Sequence, residues 1–233
     1  MRIVTALYPI DGGSLDYNHY LPLLEQLRAR ARVPIVVFCA EPIPIQEVEQ
    51  HVIPLEDFEV YRCIVSARPQ LPRGIVNPKK ATLEFFALMS TKLAFLARAA
   101  QLYPEEEQLL WLDAGIVKIV SPSFDMERAV NAFGDLKTRA AVAPGCWQRI
   151  AQVHLQSVFE TPRWRFCGGL LYAHSSVVHS LADRYEQIVR CCLELGRITW
   201  EVNLFEVLES EGAPLLWYHG DHNESMLCVA LKE

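Results

Sequence analysis

Short, unbroken apolar runs alternate along this chain with longer segments in which apolar residues recur every three or four positions. The apolar runs at 2–8, 33–40, 109–112, 138–143, 166–173 and 215–218 predict β-strands. The periodic segments at 15–30, 78–103, 121–134, 178–195 and 199–212 predict helices. Because strands and helices alternate, the pattern favours an α/β fold with a largely parallel central sheet.

A few local signals predict finer detail. The segments 52–55 and 61–65 are short and apolar enough to predict two additional strands. Ser123 and Thr199 precede helical segments and are residue types that cap helix N-termini, so we expect each to cap its helix.

Composition and charge narrow the possible functions. The 233 residues are 51% hydrophobic and 21% charged, and no linker-like segment divides them, so we predict a single domain over 1–233. The net charge of -6 and the lack of a basic run argue against a nucleic-acid partner. No apolar stretch approaches the roughly 20 residues of a transmembrane span, and no signal peptide is indicated. We therefore expect a cytoplasmic protein.

The seven cysteines are scattered along the chain and show no CxxC spacing. This spacing indicates neither a zinc site nor a disulfide framework. We therefore expect most of them to be reduced residues of the core.

The stretch LLWLDAGIV contains the first candidate for chemistry, Asp113. Four apolar residues precede it, so it lies where a buried strand should end. Ligands of open α/β sheets bind outside the carboxyl ends of the strands, and a carboxylate there is well placed for chemistry. Ala114 and Gly115 leave room beside it. The alternative is that Asp113 only caps a turn.

Other polar residues follow other predicted strands. Glu41 follows the second strand, and His219, Asp221 and His222 follow the last. Imidazoles and a carboxylate at one edge of a sheet could hold a divalent cation, which would neutralise a diphosphate leaving group. For each of them a solvated loop residue is the alternative. Lys92 lies at the edge of an apolar helical stripe, so its ammonium either points outward to water or reaches over the sheet edge to an anionic ligand.

Several motifs occur in a characteristic order: VTALYPIDGG, STKLAFLARA, WLDAGI, CGGLLYAH, TWEVNLFEVL and finally YHGDHNESML. This order resembles the HtrL/YibB-like family of GT-A-type glycosyltransferases over essentially the whole chain, and WLDAGI is the most specific element. The resemblance implies a GT-A-like three-layer α/β fold with a mostly parallel central sheet. It also implies transfer of a sugar from a nucleotide-sugar donor to a glycan, lipid or protein acceptor.

The chain is also similar, more distantly, to the glycogenin-like glycosyltransferases, and this similarity implies roles for individual residues. Asp113 matches the first aspartate of the metal-binding DxD motif, and His222, or less closely His219, matches a C-terminal ligand of Mn²⁺ or Mg²⁺. Lys92 resembles a base that contacts the diphosphate or the sugar. The remaining implied roles are donor-sugar contacts by Gly168 and Gly169, base and ribose contacts near Thr5, Ala6, Leu7 and Glu41, and a catalytic or sugar-orienting carboxylate at Glu201.

One residue departs from the family pattern: Gly115 stands where the second aspartate of DxD should be. Two functional hypotheses follow, an active transferase with or without a cation and a nucleotide- or glycan-binding protein that has lost catalysis. A sugar-phosphate nucleotidyltransferase is disfavoured because the loop PIDGGS contains no Lys or Arg. The segment 144–165, with three arginines and two tryptophans, is a candidate flap over the acceptor.

Overall fold

The central strand of the sheet is apolar along almost its whole length, and its side chains pack on both faces. In β4 (Gln108–Leu112), Leu109 and Trp111 face one hydrophobic layer, whereas Leu110 and Leu112 face the other. Such a strand fits only the interior of a sheet that is covered on both sides. The computed structural model describes residues 1–10, 17–73, 75, 77–149, 153 and 155–230.

The described residues form seven strands and seven α-helices, with short 3-10 helices between them. The other strands are β1 (Arg2–Leu7), β2 (Ile35–Cys39), β3 (Glu49–Val52), β5 (Ala141–Gly145), β6 (Leu170–His174) and β7 (Leu215–His219). The helices are α1 (Tyr17–Ala31), α2 (Glu59–Ala67), α3 (Leu83–Ser90), α4 (Lys92–Leu102), α5 (Met126–Gly134), α6 (Ser175–Glu194) and α7 (Glu201–Ser210).

The strands form one sheet in the order β3-β2-β1-β4-β6-β5-β7. Every described pair is parallel except those of β6, which runs antiparallel to both β4 and β5. Because β6 is reversed, its N-terminal end meets the carboxyl end of β4. Leu112 lies opposite Leu170, and the Asp113 backbone N–H donates a 3.0 Å hydrogen bond to the Gly169 carbonyl. The reversal therefore brings Gly168 and Gly169, which precede β6, next to Asp113.

Helices cover both faces of this sheet. The residues of α1 and α5 pack on one face, and those of α2, α3, α4, α6 and α7 pack on the other. On the second face, Phe95 stacks between Tyr8 and Trp111, with ring centroids 5.8 and 5.7 Å away. The predicted three-layer architecture with a mostly parallel sheet is confirmed. Across the described ranges, none of the helices combines the length and apolar character that crossing a membrane requires.

The predicted strand at 61–65 is wrong. This segment lies inside α2, where Val60, Tyr61 and Ile64 recur at helical spacing and are buried. A short apolar run fits the period of a strand and that of a helix about equally well, so the local pattern could not decide. The segment 52–55 contributes only its first residue to β3.

The predicted helix at 78–103 is divided into three pieces. A 3-10 turn at Pro78–Lys80 precedes α3, and α3 is separated from α4 at Thr91. The Thr91 hydroxyl donates a 2.8 Å hydrogen bond to the Ala87 carbonyl. Back-bonding of this kind bends helices. As a result, Lys92 is the first residue of a new helix.

Two helix caps also differ from the expectation. Asp125, and not Ser123, caps α5, because its side chain accepts a 3.0 Å hydrogen bond from the Arg128 backbone N–H. Thr199 does not cap α7, since its hydroxyl donates to the Val158 carbonyl instead.

Gly145, the last residue of β5, permits a close backbone approach. A Cβ added there would lie 1.7 Å from the Arg165 carbonyl oxygen and 2.6 Å from Nε1 of Trp217. The neighbouring chain is held by backbone hydrogen bonds from Cys146 to Trp164 (2.9 Å) and from Cys167 to Pro144 (2.7 Å). No side chain can be accommodated at position 145 without displacing this backbone.

We predict that Gly145→Ala lowers the free energy of unfolding by about 3 kcal/mol or more, because the new methyl group meets backbone that cannot rotate away. Urea denaturation of the two proteins measures the difference. Gly134→Ala is the matched control, since a Cβ at that helical position would approach nothing nearer than 3.8 Å. Equal stabilities of Gly145→Ala and Gly134→Ala would contradict the close approach.

Candidate functional site

A cavity of about 340 Å³ opens at the carboxyl ends of β1 and β4. Its volume lies in the range of roughly 300–1,000 Å³ that is typical of small-molecule sites. Its walls are mostly apolar and carry a few charged groups. The lining residues are Ala6, Leu7, Tyr8, Tyr20, Lys80, Phe85, Leu88, Met89, Trp111, Asp113, Ala114, Gly115, Ile116, Lys118, Ile119, Gly169, His222 and Met226.

Asp113 lies in this wall with one carboxylate oxygen anchored. Its Oδ1 accepts a 2.8 Å hydrogen bond from Nε1 of Trp111 and lies 3.2 Å from Nζ of Lys92. Its Oδ2 lies 3.8 Å from the position that a Cβ on Gly169 would occupy. Asp113 and Gly169 both line the cavity, so a side chain at position 169 would crowd this carboxylate.

Lys92 is buried, with 2% of its side chain exposed. Its ammonium donates hydrogen bonds of 2.8 Å to the Gly168 carbonyl and 3.0 Å to Oε1 of Glu201, besides its contact with Asp113. Of the two alternatives left open by the sequence, the ammonium does not point outward to water. Burial alone would lower the pKa of Lys92, but the two carboxylates outweigh burial and raise it above the usual 10.5. The ammonium is thus charged at neutral pH.

Glu201 completes this ion cluster, which we define as Lys92, Asp113 and Glu201. It is the first residue of α7, where the helix dipole favours a carboxylate, and its side chain is 11% exposed. A Cβ on Gly168 would lie 2.3 Å from Oε1 of Glu201. Gly168 therefore makes room for the ion cluster, whereas Gly169 makes room for the cavity. Among the described residues, neither Gly168 nor Glu201 belongs to the cavity lining.

Position 115 does not fit the second carboxylate of a DxD motif. A Cβ on Gly115 would lie 2.9 Å from Cε1 of Tyr20 and 3.6 Å from Nζ of Lys118. The Lys118 ammonium itself lies 4.1 Å from the centroid of the Tyr20 ring, in a cation–π contact. An aromatic ring and an ammonium group therefore occupy the space that the missing carboxylate would need. Burial, and then the nearby Lys80, lower the pKa of Lys118.

The two predicted histidine ligands do not lie with Asp113. His222 lines the cavity, but its Nδ1 lies 3.6 Å from Sγ of Cys146 and its ring packs 4.4 Å from that of Trp164. His219 is exposed at the end of β7. Within the described ranges, no group of three or more His, Cys, Asp or Glu donors at ligating distance includes Asp113. The described side chains therefore supply Asp113 with no cation site of three protein ligands.

Two of the four residues predicted near the base and ribose belong to the described cavity lining, and two do not. Ala6 and Leu7 line the cavity at the carboxyl end of β1. Thr5 is fully buried, and its hydroxyl has no hydrogen-bond partner in the described part of the chain. Glu41 is exposed beyond the end of β2 and does not contribute to the described cavity wall.

The candidate acceptor flap is only partly described, because residues 150–152 and 154 lie outside the described residues. Two of its arginines are engaged with α7. Arg163 pairs with Glu206 at 2.6 Å, and Arg165 makes two hydrogen bonds to Glu209, of 2.9 and 2.6 Å. Trp147 is 50% exposed, so its ring is accessible to an acceptor at the surface.

Tyr20, Lys80 and Lys118 are polar lining residues that the sequence analysis did not single out. Lys118 had a local signal, since it follows Asp113 by five residues within the turn that leaves β4. Tyr20 and Lys80 come from α1 and from the 3-10 turn before α3, so only the tertiary structure brings them to the cavity.

The sequence matches no protein-family model, and no curated protein matches it significantly. Solved structures are similar in fold. A glycosyltransferase involved in glycosylation of the major capsid of PBCV-1 has a TM-score of 0.51 and 12% identity, with 94% of this chain and 80% of that chain covered. The galactosyltransferase LgtC, in complex with donor and acceptor sugar analogs, has a TM-score of 0.52 and 12% identity, with coverages of 93% and 73%.

An active-site mutant of LgtC gives similar values, a TM-score of 0.50 at 12% identity, with coverages of 93% and 72%. At this identity the likeness concerns the fold, and the chain has the fold of GT-A-type glycosyltransferases. The resemblance to the HtrL/YibB-like family stays a prediction.

We predict that Lys92→Met lowers the free energy of unfolding by roughly 2–4 kcal/mol at pH 7, because it leaves the carboxylates of the ion cluster without their counter-charge. The folded-state pKa of Lys92 is raised, so its stabilisation is complete below the usual value of 10.5 and is lost as the pH rises through the folded-state pKa. Urea denaturation over a pH series measures the difference between wild type and variant, which should shrink in alkali.

The exposed Lys137→Met is the matched control and should leave the stability within about 0.5 kcal/mol of wild type. Removing one carboxylate as well, in Lys92→Met/Glu201→Gln, should recover part of the loss. A Lys92→Met protein as stable as wild type at pH 7 would show that the ion cluster does not stabilise the fold.

Proposed function

We propose that this protein is a glycosyltransferase that moves a sugar from a nucleoside-diphosphate donor to an acceptor hydroxyl group. The observation that carries the proposal is Asp113, held by the buried Lys92 in the wall of the cavity at the carboxyl edge of a GT-A fold. Ligands bind at this edge in open α/β sheets, and the anchored carboxylate gives the cavity a group that can take part in chemistry.

The charges of the cavity suggest how a donor would bind. We place the nucleoside against Ala6 and Leu7, and the diphosphate beside the ammonium groups of Lys80 and Lys118. Ammonium groups can compensate the charge of a diphosphate leaving group, which is the task that a divalent cation performs elsewhere. We therefore propose that donor binding is independent of a divalent cation, in keeping with the poor fit of Gly115 and His222 to a cation at Asp113.

The proposed reaction forms one bond and breaks another at the anomeric carbon of the sugar. The acceptor oxygen bonds to this carbon, and the bond from the carbon to the diphosphate oxygen breaks. The nucleoside diphosphate leaves with the electron pair, next to Lys80 and Lys118. The acceptor hydroxyl gives its proton to a base, and Asp113 is the carboxylate among the described lining residues that can accept it.

We assign Glu201 a positioning role. It contacts Lys92, and Lys92 in turn contacts Asp113, so Glu201 acts on the cavity through the ammonium. With both carboxylates paired to it, Lys92 cannot turn away from Asp113 without leaving a buried charge unpaired. The ion cluster thus fixes the orientation of Asp113 before any ligand arrives, which is the preorganisation that catalysis requires.

A catalytically inactive nucleotide- or glycan-binding protein is the second candidate function. The position of Tyr20 favours it, because its ring fills the space beside Gly115 where a second carboxylate would extend. A cavity of this volume can bind a nucleotide whether or not it turns one over. In either case we propose that residues 1–233 act as one domain in the cytoplasm, where seven free cysteines stay reduced.

We predict that one nucleoside diphosphate among UDP, GDP and CDP, or its sugar, raises the melting temperature without any added divalent cation. At one hundred times Kd the gain is about 2.7 kcal/mol, or roughly 5–10 °C for a chain of this length. Lys118→Met should abolish the rise, because it removes a positive charge next to the diphosphate. Lys79→Met, one residue from Lys80 and outside the cavity lining, should retain it. A rise seen only with added Mn²⁺ would contradict cation independence.

We predict that the nucleotide sugar identified in this way is slowly hydrolysed, and that Asp113→Asn lowers the rate by about 10²–10⁴, since it removes the base. Release of the nucleoside diphosphate measures turnover with water as acceptor. Asp125→Asn is the matched control, since asparagine also caps helices and Asp125 lies outside the cavity lining. Full turnover by Asp113→Asn would exclude our assignment, whereas donor binding without any turnover by wild type would favour the binding protein.

A further inference from the structure

Two cysteines and a histidine from three different parts of the chain converge at one point beside the cavity. Sγ of Cys146 lies 3.7 Å from Sγ of Cys167 and 3.6 Å from Nδ1 of His222. All three donor atoms lie within 4.8 Å of one another. Cys167 is buried, Cys146 is half-buried and His222 is exposed. The sequence indicated His222 as a candidate metal ligand but showed no zinc spacing among the cysteines, because the three residues follow β5, precede β6 and follow β7 rather than sharing a CxxC motif.

Two of the three distances within the cluster match those of a zinc site. Zinc binds thiolate sulfur at about 2.3 Å and imidazole nitrogen at about 2.0–2.1 Å, so tetrahedral ligands lie about 3.8 Å apart for two sulfurs and about 3.6 Å apart for sulfur and nitrogen. The separations of 3.7 and 3.6 Å from Cys146 fit these values, and Cys167 and His222 place their donor atoms within 4.8 Å of each other. Thiolate and imidazole are also the ligands that zinc prefers.

The backbone around the cluster is fixed by hydrogen bonds. Cys146 donates to the Trp164 carbonyl at 2.9 Å, Cys167 donates to that of Pro144 at 2.7 Å, and Gly220 donates to that of Gly145 at 3.1 Å. These bonds set the two cysteines side by side before any ion binds. The preformed arrangement lowers the cost of ordering the ligands.

We infer that Cys146, Cys167 and His222 bind a single zinc ion, separate from the ion cluster at Asp113. Both thiols lose their protons to solvent when the ion binds, and two zinc–sulfur bonds and one zinc–nitrogen bond form. Three protein ligands leave the fourth tetrahedral position for a water molecule.

The zinc ion would connect the segment after β7 to the ends of β5 and β6. His222 and Met226 belong to the cavity wall, so the ion would fix that wall in place. It would also commit the His222 imidazole to the two cysteines. The ion thus has a structural role in shaping the cavity, and it needs no part in sugar transfer.

Metal binding by the purified full-length chain tests the inference without any donor or acceptor. After treatment with a chelator under reducing conditions, the protein is titrated with Zn²⁺ in competition with a chromophoric chelator, and with Co²⁺ to record thiolate charge-transfer absorption. We expect one equivalent of zinc in wild type. In Cys146→Ser and His222→Gln the affinity should fall by about 100-fold or more, and the charge-transfer band should weaken only when a cysteine is removed.

Cys191→Ser and His179→Gln are the matched controls, because both residues are exposed on α6 away from the cluster. They should bind zinc as wild type does. Because His222 is exposed, its variant keeps the test valid even if Cys146→Ser folds poorly. Unchanged zinc affinity in His222→Gln, no binding by wild type, or a Cys146–Cys167 disulfide in place of the metal would each overturn the inference.

Discussion

The burial of the Lys92 ammonium is the constraint on which the site depends. Moving an ion of this kind out of water costs several kcal/mol, and only nearby counter-charges and hydrogen-bond acceptors can offset that cost. Here Asp113, Glu201 and the Gly168 carbonyl do so. Features that look unrelated in the sequence become parts of one arrangement. The break at Thr91 starts a helix at Lys92, the missing side chain at position 168 leaves room, and α7 begins with a carboxylate.

Much of the fold could be predicted because its signals are local. The apolar run before Asp113 identified the central strand, and the position of the carboxylate at its end followed from the topology of α/β sheets. The sequence named Gly168 and Gly169 only through the resemblance, and the reversed direction of β6 explains why they lie next to Asp113. The prediction of a strand at 61–65 was wrong because five residues are too few to distinguish the period of a strand from that of a helix.

The site could be predicted less well, since its contacts join residues far apart in sequence. The helical pattern placed Lys92 at the edge of an apolar stripe, but burial of the ammonium depends on Glu201, which lies 109 residues away. Tyr20 and Lys118 meet beside Gly115 only in the folded chain. Gly115 could be recognised from the sequence as a departure from a DxD motif. The sequence did not reveal that an aromatic ring and an ammonium group take the place of the absent carboxylate.

The reversed strand β6 also has a consequence for how the chain folds. The members of the ion cluster come from α4, the end of β4 and the start of α7. Between β4 and α7 along the chain lie β5 and β6, and β6 pairs with β4 in the sheet. Closing loops of this length costs entropy before any contact compensates for it, so pairings between distant segments are slow to form. A chain in which α7 has not docked on the sheet therefore lacks the counter-charge that Glu201 provides to Lys92.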